Sequence, residues 1–137
     1  MIRIRPAHYI NSAKHYLLLY RRSNRSNLIV NGDFSLGNTG FTSQYISANP
    51  NSNEGQYFIG TNPQAWNGGL NTCGDHTSGN GNMMMVNGAP AVDVNVWKQT
   101  IAVTPNTNYA FSTWIEALTA TNPPSFSFQL MEKIQAG

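Results

Sequence analysis

The sequence predicts an all-β protein, an antiparallel β-sandwich of short strands, and three observations carry this prediction. Asparagine and glycine, which favour turns over helices, number 18 and 12 among the 137 residues. Short apolar runs stand between these turn residues, as expected for strands. No segment has the period of an amphipathic helix. Because 11% of the residues are aromatic, the chain can bury a core and wholesale disorder is not expected.

The strands are predicted where apolar runs are closed by turn residues. In chain order, the candidates are residues 28–30, 57–59, 83–86, 94–103, 109–117 and 126–130. The clearest period of two lies in the fifth candidate, which places Phe111 on one face and Trp114 and Glu116 on the other. Residues 34–57 and 66–81 are dense in Gly, Asn and Ser, so we expect long loops there, with one short irregular strand in the first.

The charge composition of the chain changes at Asn27, from basic before it to acidic after it. Six of the eight Lys and Arg residues lie in residues 1–26, which hold no acidic residue; the remainder holds two Lys against six Asp and Glu. We therefore predict a basic leader over 1–26, either disordered or a non-native extension, a β-sandwich domain over 27–130 and a tail over 131–137. A solvated leader is favoured over one that contacts nucleic acid, so no nucleic-acid partner is expected.

Other classes of protein are excluded by simple counts. The leader lacks the apolar stretch of a secretion signal, and no apolar run approaches the roughly 20 residues of a membrane span. Cys73 is the single cysteine, which excludes an internal disulfide framework. No nucleotide-binding glycine loop, zinc signature or evident pair of catalytic carboxylates stands out, so we do not expect an enzyme.

Two segments resemble a known family of domains. The first reads NLIVNGDF over 27–34 and GNTGF over 37–41, and it resembles the opening of carbohydrate-binding jelly rolls of the galactose-binding-like type. The second reads CGDHTSGNGNMMMVNG over 73–88; with VWKQTI and TPNTNY further on, it is similar to secreted bacterial modules of the same fold. Its DHTSGNG portion also resembles the signature of MAM adhesion domains, another jelly roll.

The resemblance covers residues 27–130 and implies a jelly roll in an extracellular or cell-surface bacterial protein. Two departures from the family pattern matter. Ser35 stands where many relatives carry a Glu that helps to hold a structural calcium ion, and no closing strand with an Asp near that ion follows Leu130. Because a jelly roll has about eight strands, we expect a sandwich truncated at its C-terminus, a fragment of a longer protein.

Asp33 and Asp75 are the candidate metal ligands. Both stand in turns rich in Gly and Asn, where carboxylate, amide and carbonyl oxygens could together supply the six to eight ligands that calcium prefers. The alternative is that each aspartate caps its own turn by accepting backbone N–H groups. A structural Ca²⁺ is the one cofactor that the sequence suggests.

Aromatic residues are the candidate sugar-binding groups, because an aromatic face can stack on a sugar ring while polar groups bond the hydroxyls. The candidates are Trp66, Trp114, Tyr57 and Trp97, together with Glu116, which shares the face of Trp114. For each tryptophan the alternative is core or edge packing. His76 is interpreted as a hydrogen-bonded turn residue.

These observations favour a non-catalytic module that binds a polysaccharide or other glycan. Two alternatives remain open: a MAM-like adhesion module that binds other surface proteins, and an accessory domain of a larger polysaccharide-degrading enzyme. A contiguous apolar patch would favour the first alternative, and a groove lined by Trp, Asn and acidic residues would favour sugar.

Overall fold

The computed structural model describes residues 2–6, 13–21, 26–121 and 125–130. Within these ranges the protein is all-β, with eight strands and one turn of helix. The strands are β1 (Ile2–Pro6), β2 (Ala13–Arg21), β3 (Ile46–Ser47), β4 (Gln56–Gly60), β5 (Met83–Asn87), β6 (Trp97–Gln99), β7 (Tyr109–Ala117) and β8 (Phe126–Leu130). The helical turn α1 (Pro63–Trp66) begins at the cap residue Asn62, whose side-chain oxygen accepts the N–H groups of Gln64 and Ala65.

The strands form two sheets. One has the order β6-β1-β8, and the other has the order β3-β4-β5-β2-β7. All neighbouring strands run antiparallel except β3 and β4, which are parallel. β1 is the middle strand of the first sheet, and β2 joins β5 to β7 in the second.

The N-terminal segment differs from the expected leader, because β1 and β2 both lie within residues 1–26. β2 pairs with β7 over nine consecutive positions, from Ala13 opposite Ala117 to Arg21 opposite Tyr109. The expected disorder is therefore wrong for residues 2–6 and 13–21, while the domain boundary at Asn27 stays a prediction. The disorder was predicted from the high content of Arg and Lys. Strand pairing, however, uses the backbone N–H and C=O groups, which are present whatever the side chains are. The expected tail, residues 131–137, lies outside the described residues.

The main core cluster contains residues from both sheets. Its buried members include Leu19 on β2, Met84 and Val86 on β5, and Trp97 on β6. Phe111 on β7 packs against it, whereas Trp114 on the opposite face of the same strand is exposed. The two-residue period predicted for 109–117 is therefore confirmed.

β5 is buried on both of its faces. Met84 and Val86 point into the main core cluster, while Met83 and Met85 point into a second buried cluster. This second cluster is completed by Trp66, Leu70 and Leu118. A run of apolar residues without alternation is what a strand with two covered faces requires, so the buried strand predicted at 83–86 is confirmed.

Two other strand predictions differ from the structure. The strand predicted over 94–103 is shorter, covering only Trp97–Gln99. The run at 28–30 belongs to no sheet: Val30 donates its N–H to Oε1 of the buried Gln99 at 3.0 Å, and its carbonyl accepts from Nε2 of Gln99 at 2.9 Å. The glutamine side chain thus satisfies the backbone groups that a neighbouring strand would otherwise satisfy.

Candidate functional site

An open groove of about 540 Å³ is formed by three segments that are distant in sequence. The turn after Asn27 contributes Asp33 to its lining, the loop before β5 contributes His76 and Thr77, and β7 contributes Trp114. Asn27, Ile29, Asn31 and Gly32 complete the described lining. The groove therefore combines an aromatic ring with a carboxylate, amides and a hydroxyl.

The Asn31-Gly32-Asp33 turn is shaped by the side chain of Asn31. Its Nδ2 donates to the carbonyls of Gly37 and Thr39 at 2.9 and 2.8 Å, and its Oδ1 accepts from the N–H of Leu36 at 2.9 Å. Asn31 has a φ of 55°, a left-handed conformation that asparagine tolerates better than most residues. Asn31 is thus committed to shaping the turn that carries Asp33.

Asn27 connects the groove to β2. Its Oδ1 accepts the N–H groups of Leu19 and Ile29, both at 3.0 Å. The N–H of Leu28 in turn donates to the carbonyl of Leu19 at 2.6 Å. The segment that leads into the groove turn is therefore held against β2, a strand that sequence reasoning did not foresee.

Asp75 organises the loop that carries His76. It is only 6% exposed, and its carboxylate accepts four hydrogen bonds from its own loop. Oδ2 accepts from the N–H groups of Thr77 and Ser78 at 2.9 and 2.7 Å; Oδ1 accepts from Ser78 Oγ and the N–H of Gly81 at 2.9 and 2.5 Å. A carboxylate has about four lone-pair sites, and all four are used.

These hydrogen bonds are the ones that the turn-capping alternative predicts for Asp75, and the calcium site at Asp33 and Asp75 stays a prediction. Asp33 is exposed, and its Oδ1 accepts the N–H and hydroxyl of Ser35 at 3.2 and 2.9 Å. Among the described residues no group of three or more His, Cys, Asp or Glu side chains is arranged to hold a metal ion.

The same loop needs a glycine at position 74. A Cβ atom built there would collide with the carbonyl oxygen of Gly79 and lie 2.7 Å from its carbonyl carbon, both backbone atoms. We expect Gly74→Ala to displace the loop and to lower the melting temperature by several degrees, in line with a destabilisation of about 1–3 kcal/mol for overpacking.

Gly68→Ala is the matched control, because nothing lies within 4 Å of a Cβ at that position. Thermal unfolding of both variants, followed by circular dichroism, checks the prediction. If Gly74→Ala melts at the same temperature as Gly68→Ala, then the close approach of Gly74 to Gly79 is not a constraint on the fold.

Trp114 and His76 form the aromatic part of the groove. Their ring centroids are 3.8 Å apart and their planes are inclined by only 14°, so the rings are stacked. Trp114 is nevertheless 51% exposed, and it projects from the face of β7 opposite to Phe111. The stack orients an indole ring that has one face against His76 and is half exposed to solvent.

The other aromatic candidates lie in the core, and their predicted role in ligand contact is corrected. Trp66 is 1% exposed and donates its indole Nε1–H to the carbonyl of Ala48 at 2.7 Å. Trp97 is buried in the main core cluster. Tyr57 is buried there too, and its hydroxyl donates to Oδ1 of Asn38 at 2.8 Å. A buried ring has no face to offer a sugar.

Glu116 is exposed, two positions beyond Trp114 on β7, and is not among the described lining residues. The sequence did not predict that Asn27, His76 and Thr77 line the groove. For His76 and Thr77 the one local pattern was the DHT segment over 75–77, which is interpreted from sequence as a turn. No local pattern links His76 to Trp114, because their contact depends on how loop and strand pack.

Comparisons with known proteins add no relative: no family model, no curated protein and no solved structure matches the chain. Across the described ranges, no helix has the length and apolar character that a membrane crossing requires.

Proposed function

We propose that the protein is a non-catalytic carbohydrate-binding module, a β-sandwich of the jelly-roll type from a secreted or cell-surface bacterial protein. Its glycan would lie in the groove between Asp33, His76 and Trp114. The single observation that carries the proposal is the half-exposed indole of Trp114 in a groove that also presents the polar side chains of Asp33 and Thr77.

The chemistry of the groove suits a sugar. The apolar face of a pyranose ring packs on an aromatic ring, and its hydroxyls need donors and acceptors at the ring edge. Trp114 supplies the ring, while Asp33 and Thr77 supply polar atoms in the same groove. Because His76 already orients the indole, binding costs less side-chain entropy than it would with an unrestrained tryptophan.

Binding without catalysis is favoured by the carboxylates. Hydrolysis of a glycosidic bond ordinarily requires two carboxyl groups that flank the bond. Asp33 is the one carboxylate among the described lining residues, since Asp75 is buried and occupied by its own loop. An accessory role in a larger polysaccharide-degrading enzyme is compatible with the same groove.

A protein-binding role, as in an adhesion module, is the second candidate because apolar side chains are exposed on two strands. Ile115 on β7 and Phe128 and Leu130 on β8 are 38%, 39% and 64% exposed. The rings of Phe111 and Phe128 lie 5.6 Å apart, so β7 and β8 are neighbours on this side. Exposed apolar patches of this kind can mark protein interfaces.

A glycan array probed with the full chain tests the proposal. We expect binding to a defined polysaccharide, and we expect Trp114→Ala to weaken it by about 30-fold, the effect of removing a central aromatic contact worth about 2 kcal/mol. Phe128→Ala is the matched control, because it removes an exposed aromatic side chain away from the described lining. Chelation of calcium should change nothing.

The outcomes separate the two candidates. A folded chain that binds no glycan on the array contradicts the carbohydrate proposal. Glycan binding that survives Trp114→Ala but is lost in Phe128→Ala places the glycan on the β7–β8 side and contradicts the assignment of the groove.

A further inference from the structure

We propose that the groove selects glycans that carry ammonium groups, that is, polymers of amino sugars with free amines such as β-1,4-linked glucosamine. This inference rests on the proposed function and names the class of sugar that the same site takes. Its basis is the combination of a carboxylate and an open indole face in one groove.

The described lining of the groove holds one carboxylate, that of Asp33, and one imidazole, that of His76, with neither Lys nor Arg. Over all the described residues, five Lys and Arg stand against five Asp and Glu, so the attraction for a cation is local to Asp33 and does not come from the surface as a whole. A positively charged group that reaches Asp33 is attracted by its carboxylate, and a carboxylate group is repelled.

Asp33 is oriented and retains capacity to accept a hydrogen bond. Both of its hydrogen bonds, from the N–H and the hydroxyl of Ser35, end on Oδ1. These bonds fix the carboxylate within its turn, and they leave Oδ2 for a donor in the groove. An ammonium group, with three N–H donors, suits that oxygen better than a neutral hydroxyl, because hydrogen bonds between charged groups are stronger.

Trp114 adds a second attraction for the same group. The face of an indole carries negative potential and attracts a cation within about 6 Å of the ring. A glucosamine unit presents an apolar ring face and an ammonium substituent together. One sugar could therefore pack on Trp114 and reach Asp33, whereas an N-acetylated unit has lost the charge that both groups recognise.

Glu116 is acidic and lies two positions beyond Trp114 on β7, but it is not among the described lining residues of the groove. Selectivity is therefore assigned to Asp33.

The test compares two tetrasaccharides of equal length, β-1,4-linked glucosamine and its fully N-acetylated counterpart, by calorimetric titration of the full chain. The solution has low ionic strength and a pH at which the amino groups are protonated. We expect the glucosamine tetramer to bind about fivefold more tightly, from one partly exposed ion pair and one cation–π contact. Asp33→Asn should reduce the preference to the part that the cation–π contact with Trp114 contributes, and Glu54→Gln, which removes one exposed charge outside the described lining, should leave it unchanged.

Each other result overturns the inference. Equal affinities, a preference for the N-acetylated tetramer, or a preference that Asp33→Asn does not reduce would each show that the groove does not select ammonium groups through Asp33. If neither tetramer binds but the array shows another glycan, the inference fails and the proposed function stands. If the array is also empty, the proposed function fails with it.

Discussion

A chain shortened to residues 27–137 is expected to lose its cooperative thermal transition. The shortening removes β1, which separates β6 from β8 in one sheet, and β2, which joins β5 to β7 in the other. It also removes Leu19 from the main core cluster and the backbone groups to which Asn27 is bonded. Four strands, β5, β6, β7 and β8, would then lack a neighbour that they have in the full chain, and their backbone groups would lose hydrogen-bond partners.

Circular dichroism of the full and shortened chains during heating measures this effect. A full-length Leu18→Pro variant is a second test. Leu19 directs its N–H and carbonyl away from β7, to Asn27 and Leu28, so the adjacent Leu18 directs its own N–H towards β7, and proline removes that N–H from the ladder. The control is a full chain with Arg3→Gln and Arg5→Gln, which lowers the charge of β1 but keeps its backbone. If the shortened chain unfolds cooperatively at the same temperature as the full chain, then β1 and β2 are not needed for the fold, and residues 1–26 act as a leader.

Trp66→Ala and Trp114→Ala are expected to differ greatly in their effect on stability, although sequence reasoning treated the two tryptophans alike. Trp66 fills the second buried cluster with Leu70 and Met83, so its truncation leaves a cavity and should cost about 3–5 kcal/mol of the free energy of unfolding. Trp114 is half exposed on β7, and its truncation should cost less than about 1 kcal/mol.

Urea denaturation of the two variants and the parent chain gives both free energies. Trp66→Phe serves as a control that retains an aromatic ring but loses the hydrogen bond to Ala48, and we expect its stability to lie between those of the parent and Trp66→Ala. Similar free energies of unfolding for Trp66→Ala and Trp114→Ala would contradict the assignment of Trp66 to the core and of Trp114 to the surface.

Much of the strand pattern could be predicted from the sequence, because it depends on local alternation. The nine residues Tyr109–Ala117 were predicted from their period of two, and the strand has the same bounds. The run at 83–86 was predicted as buried from its lack of polar residues. Residues 28–30 do not form the predicted strand because the backbone of Val30 is satisfied by the side chain of Gln99, which lies 69 positions away, and the N–H of Ile29 by the side chain of Asn27.

The candidate site was less predictable, because a residue type does not determine its own burial. Asp33 and Asp75 both stand in glycine-rich turns, yet one is exposed in a groove and the other is enclosed by four donors of its own loop. Trp97 and Trp114 lie on different sheets, and only the packing of those sheets decides which indole is open.

The sequence by itself determined the all-β class, several strands and the faces of β7, since turn residues and a two-residue period act through local backbone geometry. The tertiary structure alone decided that residues 1–26 contribute strands to both sheets, and that Asp33, His76 and Trp114 meet in one groove. The reason is physical. Strand pairing and the stacking of His76 on Trp114 join segments far apart in the chain, and no short-range pattern specifies such contacts.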